Sequence, residues 1–210
     1  MSFHYQKLIK LQNKIVIISA LYEKDKRFGE LLQETDISRT ILSKRIKELQ
    51  QNQKVSWIPD LETKRAKYHL KVENLDHLER AGLCLEIITK RKINHLKKLS
   101  KEDTTTVKFF KEFSDITIEI MLLRARFYNV ASAGIYKEYI KITHGLEFLR
   151  NIDLIISKPM LPKMIELVKE AQSKGEELGN TKDADKTNQI LFLNELKEKL
   201  KNEFSEDIMF

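Results

Sequence analysis

Between Tyr5 and Tyr22 the apolar residues Leu8, Leu11, Ile15, Ile18 and Tyr22 recur at alternating gaps of three and four, the spacing of one face of an α-helix. The charged run EKDKR, Glu23 to Arg27, interrupts that pattern and reads as a connection. Phe28, Leu31 and Leu32 then predict a short second helix ending near Thr35, with Thr35 and Asp36 making a turn. Ser38 stands where a third helix begins, its hydroxyl able to accept from an unpaired backbone N–H of the first turn. That helix continues to about Gln51. Ile37, Leu42, Ile46 and Leu49 supply its apolar side, while Arg39, Thr40, Ser43, Lys44 and Lys47 fill the positions between them. One face is suited to burial and the other is cationic.

After the third helix the period changes. Val55, Trp57 and Ile58 suit a strand, Pro59 and Asp60 start a turn, and Ala66, Tyr68 and Leu70 alternate with Lys67, His69 and Lys71 as a second strand with one buried face. The pair predicts a β-hairpin. Three helices and a hairpin within about seventy residues is the order of a winged helix-turn-helix. Beyond Asn74 the three-and-four spacing returns, and helices are expected over residues 75–99, 107–128, 135–149, 160–171 and 190–204. Residues 97–106 read as a linker or loop, and the polar, glycine-containing residues 173–189 as a break before the last helix. Residues 152–163, a short apolar run before two prolines, read either as a strand or as a buried loop. The expected fold class is mainly α: a winged helix-turn-helix over residues 3–72, followed by an all-helical region over residues 73–210.

Composition narrows the class of protein. The chain has 210 residues, 41% of them hydrophobic and 33% charged, as in a globular protein with a real core. Its longest early apolar run, IVIISAL, falls far short of the ~20 residues a membrane-spanning helix needs. An intracellular, cytoplasmic and nucleoid-associated protein is expected, with no membrane role. The single cysteine, Cys84, has no internal disulfide partner and reads as a small buried hydrophobe. The net charge of +7 is unevenly spread, because residues 1–72 carry 15 Lys and Arg against 8 Asp and Glu, whereas residues 73–210 carry 23 of each. All the surplus lies in the first third, which points to an anionic partner there, nucleic acid ahead of a membrane surface.

Signatures of catalysis are missing from the sequence. His4, His69, His77, His95 and His144 stand apart without metal-ligand spacing, and the six glycines are scattered, so there is no phosphate-cradling loop. No HEXXH, G-X-S-X-G or kinase signature occurs. No enzyme activity, metal or cofactor is therefore expected.

A helix-turn-helix that reads DNA needs a tight turn, a recognition helix that buries one face, and donors near its start on the other, because the major groove is wide enough to admit a helix. ETDISRT meets the first demand, Leu42, Ile46 and Leu49 the second, and Arg39, Thr40, Ser43 and Lys44 the third. Arg39 is the best base contact, since a guanidinium donates two parallel hydrogen bonds to O6 and N7 of guanine. Ser38, Thr40 and Ser43 are candidate base or phosphate contacts. Lys44, Arg45 and Lys47 are candidates for phosphates, which dominate affinity. Lys64 and Arg65, near the hairpin tip, are candidates for the backbone or the minor groove.

The stretch FGELLQETDISRTILSKRIKELQQNQKVSWIPDLETKRAKYHLK resembles the winged helix-turn-helix regulators of bacteria and archaea, especially the ArsR, MarR and HxlR groups. Those share a Phe or Leu in a short helix, then I-S-x-x-x-L-S-x-x-L-x-x-L, then a wing ending in Y-x-L. The matching positions are Phe28, Ile37, Ser38, Leu42, Ser43, Ile46, Leu49, Tyr68 and Leu70. The resemblance covers about 45 residues and implies sequence-specific binding of double-stranded DNA by a homodimeric transcription regulator. It departs at Asn52, Gln53 and Lys54, where those families carry a glycine, so a longer or strained turn is expected before the first wing strand.

An alternative of a different class is an interaction module, a winged helix that binds protein or structured RNA within a larger complex. In the helical region, Phe109, Phe110, Phe113, Phe127, Tyr128, Tyr136, Tyr139 and Phe148 suit a core or a dimer interface, or else a pocket for a small apolar effector. The basic run KRKINHLKK, Lys90 to Lys98, reads either as a further phosphate contact or as a solvated helix face. The stripe of the last helix suits packing on its own domain, or on a protein partner or second subunit.

Overall fold

The computed structural model describes residues 3–59, 66–101, 106–132, 182–208 and 210. Six α-helices and one two-stranded sheet lie among them: α1 Phe3–Glu23, α2 Phe28–Thr35, α3 Arg39–Gln51, β1 Val55–Pro59, β2 Ala66–Leu70, α4 His77–Leu99, α5 Thr106–Ser132 and α6 Lys182–Phe204. The architecture is mainly helical with an antiparallel hairpin after the third helix, as the sequence pattern predicts. The helices expected at 135–149 and 160–171, and the ambiguous run at 152–163, lie outside the described residues. The chain divides into two compact units, Met1–Glu86 with Leu196–Phe210, and Ile87–Glu195.

In the first unit, α1 is amphipathic only at its start. Ile17, Ile18, Ser19, Ala20 and Leu21 are all buried, so the helix is enclosed on every side over these residues, while Tyr22, expected in the apolar stripe, is exposed. A helix covered all round must be central. Leu31 of α2 and Leu42, Ile46 and Leu49 of α3 are buried, as are Leu196 and Leu200 of α6.

β1 and β2 pair in the register Val55↔Leu70, Trp57↔Tyr68 and Pro59↔Ala66. The charged connection before α2 belongs to this sheet as well. Lys26 N–H donates to the Tyr68 carbonyl at 3.3 Å and Tyr68 N–H to the Lys26 carbonyl at 2.8 Å, a single bridge on β2. Although the sequence reads Lys26 as part of a charged connection, it is only 2% exposed. Glu34 at 2.5 Å and Glu23 at 3.6 Å neutralise its ammonium there. A buried lysine is tolerable only with such partners.

The approach to α4 is pinned by a reciprocal cap. Glu79 N–H donates to Asp76 Oδ1 at 2.9 Å and Asp76 N–H to Glu79 Oε2 at 3.2 Å, the arrangement of a capping box. Lys54, at the foot of β1, lies 2.5 Å from Glu79 Oε2 and 3.0 Å from Asp76 Oδ2. Burial pushes the Glu79 carboxyl above its ordinary range. Burial pulls Lys54 the other way, but its two carboxylates outweigh that and hold it above the usual lysine range.

In the second unit, α4 and α5 are joined by Lys92 to Glu119 at 2.6 Å and His95 to Glu112 at 3.3 Å. Arg126 of α5 pairs with Glu195 of α6 and lies 5.1 Å over the Phe192 ring. Phe127 is in the core, whereas Phe110 is exposed beside Phe109, 5.9 Å between ring centroids. Tyr136, Tyr139 and Phe148 lie outside the described residues. α6 begins at Lys182, eight residues ahead of the expected Ile190. Residues 182–189 are polar but contain no Gly or Pro, and nothing in their backbone propensity stops a helix. Among the described residues no helix is long and apolar enough to cross a membrane.

Candidate nucleic-acid interface

The turn into α3 is made by local chemistry. Thr35 Oγ1 donates to the Leu31 carbonyl at 2.6 Å, closing α2, and Asp36 then takes φ 52° and ψ 23°, the left-handed conformation that short polar side chains tolerate best after glycine. Ile37 is buried and anchors the turn. At the other end of α2, the Arg27 N–H donates to Glu30 Oε2 at 2.6 Å, which lowers the Glu30 carboxyl below its ordinary range.

Ser38 occupies the N-cap position of α3 with ψ 145°, and its carbonyl accepts from Leu42 N–H at 2.9 Å. Its side chain makes no cap hydrogen bond, contrary to expectation. The residue is exposed, so water can replace the missing acceptor at little cost.

Along α3 the two faces separate sharply. Leu42, Ile46 and Leu49 are 0–2% exposed. Arg39, Thr40, Lys44 and Lys47 are exposed, and Ser43 is half-buried. Ile41 is also exposed, although no apolar role outside the core follows from the spacing.

Arg45 has a different environment from its neighbours. Its guanidinium donates to Glu48 Oε1 at 2.6 Å, and its side chain is largely covered. Glu48 also receives Lys10 at 3.2 Å and Lys14 at 3.8 Å from α1. Partial burial pushes the Glu48 carboxyl up, but Arg45 and Lys10 outweigh it and hold it below the usual range. One acid thus gathers three cations from two helices. The sequence carries a signal for this: Lys7, Lys10 and Lys14 recur at three and four along α1, away from the Leu8 and Ile15 stripe.

The end of α3 explains the missing glycine. Gln53 N–H donates to the Gln50 carbonyl at 2.9 Å and Lys54 N–H to the Leu49 carbonyl at 2.8 Å, the two bonds of a Schellman cap. That cap requires a left-handed residue, and Gln53 supplies it with φ 57°. Asn74 Nδ2 donates to the Gln53 carbonyl at 2.7 Å and secures the strained residue. The turn is strained, as the departure from the family pattern leads one to expect, rather than longer.

Trp57 projects from β1 at 62% exposure. Lys64 and Arg65 lie outside the described residues. Among the described residues no group of three or more His, Cys, Asp or Glu is placed to hold a metal ion.

Compared with curated proteins and with solved structures, the chain matches none. Compared with family models, residues 8–76 match the HxlR-like helix-turn-helix. The match spans α1 from Leu8 onward, α2, α3, both strands of the hairpin and the start of the Asp76 cap. Over residues 8–76, about a third of the chain, the protein is therefore similar to the HxlR-like helix-turn-helix, a winged helix-turn-helix family of DNA-binding transcription regulators.

Proposed function

We propose that the protein is a sequence-specific regulator that binds double-stranded DNA with α3 in the major groove and the hairpin on the backbone or in the minor groove. The supporting observation is the division of α3, whose Leu42, Ile46 and Leu49 are sealed into the domain while Arg39, Thr40, Lys44 and Lys47 stand in solvent. A helix with this division offers donors to base edges without disturbing its own core.

In this scheme Arg39 reads guanine, and Ser38, Thr40 and Ser43 contact bases or phosphates. Lys44 and Lys47 take phosphates, joined by Lys64 and Arg65 from the wing. Arg45 reaches a phosphate by leaving Glu48, and Lys10 and Lys14 remain to hold that carboxylate. The helical region joins two copies into a homodimer and takes a small apolar effector or a protein partner. The protein acts in the cytoplasm, as a binding protein rather than an enzyme.

Selection of duplexes from a random pool by the full chain, at two salt concentrations, tests the scheme. An enriched inverted repeat with half-sites about one helical turn apart is the expected result. Retention that falls with salt but enriches no sequence would refute base readout, and no retention at either salt would refute DNA binding.

A further inference from the structure

Ile41 is the exception on the outer side of α3. It is 39% exposed, while Leu42, Ile46 and Leu49 of the same helix are at 2% or less, and its exposed neighbours Arg39, Thr40, Lys44 and Lys47 are all polar or cationic. Arg45, one turn further on, holds its guanidinium 2.6 Å from Glu48. The result is an apolar side chain in the first turn of the helix, set among cations suited to a polyanion.

The edges of base pairs in the major groove are hydrogen-bond donors and acceptors with one apolar group among them, the C5 methyl of thymine. A β-branched aliphatic side chain has few rotamers to lose on contact and nothing to donate or accept. It therefore discriminates by that methyl alone.

We infer that Ile41 is a specificity-determining residue of α3 that packs on the C5 methyl of a thymine in the bound duplex. This rests on the major-groove placement of α3 proposed above. Two residues apart on the helix, Arg39 and Ile41 lie about 200° round its axis from one another, so the demand for thymine falls on a different part of the site from the guanine that Arg39 would select.

The test begins with pool selection by the full chain and by Ile41→Ala. In the best duplex for the natural chain, each thymine is then replaced singly by deoxyuridine, which lacks only the methyl. One position in the site should lose about four-fold in affinity, or ~0.8 kcal/mol at 1.4 kcal/mol per factor of ten, the value of one buried methylene. Ile41→Ala should be indifferent to that replacement, and its own selected pool should lose the thymine preference there. Ile41→Val, which keeps a branched face, should retain most of the methyl dependence.

Enrichment of a sequence with no methyl dependence at any thymine would overturn the role of Ile41 and leave the regulator scheme standing. Equal methyl dependence in the natural chain and Ile41→Ala would do the same. A pool that enriches nothing would overturn both. Ile41 is 39% exposed, and melting curves of Ile41→Ala and Ile41→Val taken alongside the titrations separate a loss of binding from a loss of fold.

Discussion

Gly82 of α4 lies against Ile15 of α1 so closely that a Cβ on Gly82 would sit 2.4 Å from Ile15 Cδ1, 2.8 Å from Cγ1 and 3.2 Å from Cγ2. Glycine in a helix interior costs about 1 kcal/mol relative to alanine, and here the cost is accepted so that two helices can approach. Gly82→Ala should therefore destabilise by up to about 2 kcal/mol, overpacking of about 1–3 kcal/mol offset by the gain of about 1 kcal/mol in helix propensity. In an Ile15→Ala background the sign should reverse, since the new methyl then enters a vacated space. Denaturant midpoints of the four proteins in the cycle measure this, and an unchanged effect of Gly82→Ala would show that Ile15 is not the obstacle.

Gln53 offers the opposite experiment. A β-carbon at φ 57° costs about 1–2 kcal/mol, and glycine removes it at the expense of a more flexible unfolded chain. Gln53→Gly should stabilise by about 0.5–1 kcal/mol, read as a rise in melting temperature. Gln53→Val, whose branched side chain suits this region worst, should lower it.

These two sites mark the limits of what the sequence discloses. α3 was legible because its apolar positions are fixed by one period, and the hairpin because its period is two. The strained turn was legible as a missing glycine. The burial of Lys26 was not, because the pairing of its backbone with Tyr68 joins residues 42 positions apart and a lysine in a charged run looks solvated. The contact of Gly82 with Ile15 is equally long-range. The Glu48 cluster was half legible: the cationic row on α1 is in the sequence, but the acid it faces depends on how α1 crosses α3. In the same way, Arg45 reads from spacing as one more cation, and only the fold shows Glu48 beside it.

Cys84 should be chemically silent in the folded protein. It is buried, and burial pushes its thiol up to about 12 against an opposing pull from Lys197. The thiolate is the reactive species, so alkylation near neutral pH should occur only through unfolded molecules. Because this is the sole cysteine, its labelling rate should rise with denaturant in parallel with global unfolding. Rapid labelling under native conditions would disprove the burial.

Glu48 gives a pH dependence with a definite sign. Its folded pKa is lowered from 4.5, so its contribution to stability is fully present above 4.5 and is lost as pH falls through the folded value. Glu48→Gln should cost about 1–2 kcal/mol at neutral pH, between the values for exposed and for buried ion pairs. The difference between the two proteins should shrink as the pH is lowered past 4.5. A gap that stays constant throughout the acid range below 4.5 would mean that the amide fails for reasons of packing rather than charge.

The same carboxylate bears on binding, and separates the roles assigned along α3. Lys44 and Lys47 are exposed, so removing either should lower affinity for all duplexes alike and reduce the slope of log affinity against log salt by about 1. Arg39→Ala should instead cost about 1–3 kcal/mol on the preferred sequence and little on others, because only a base contact distinguishes them. Arg45 should behave as neither, since it begins in an ion pair that must be given up. Its replacement by alanine should weaken DNA binding less than that of Lys44, while lowering thermal stability more, because it leaves Glu48 with Lys10 and Lys14 alone. Salt titrations of the four variants against one selected duplex and one scrambled duplex, with melting curves alongside, distinguish the three behaviours. If Arg45→Ala lost as much affinity as Lys44→Ala with no change in melting, the Glu48 pair would be incidental and Arg45 would belong with the phosphate contacts.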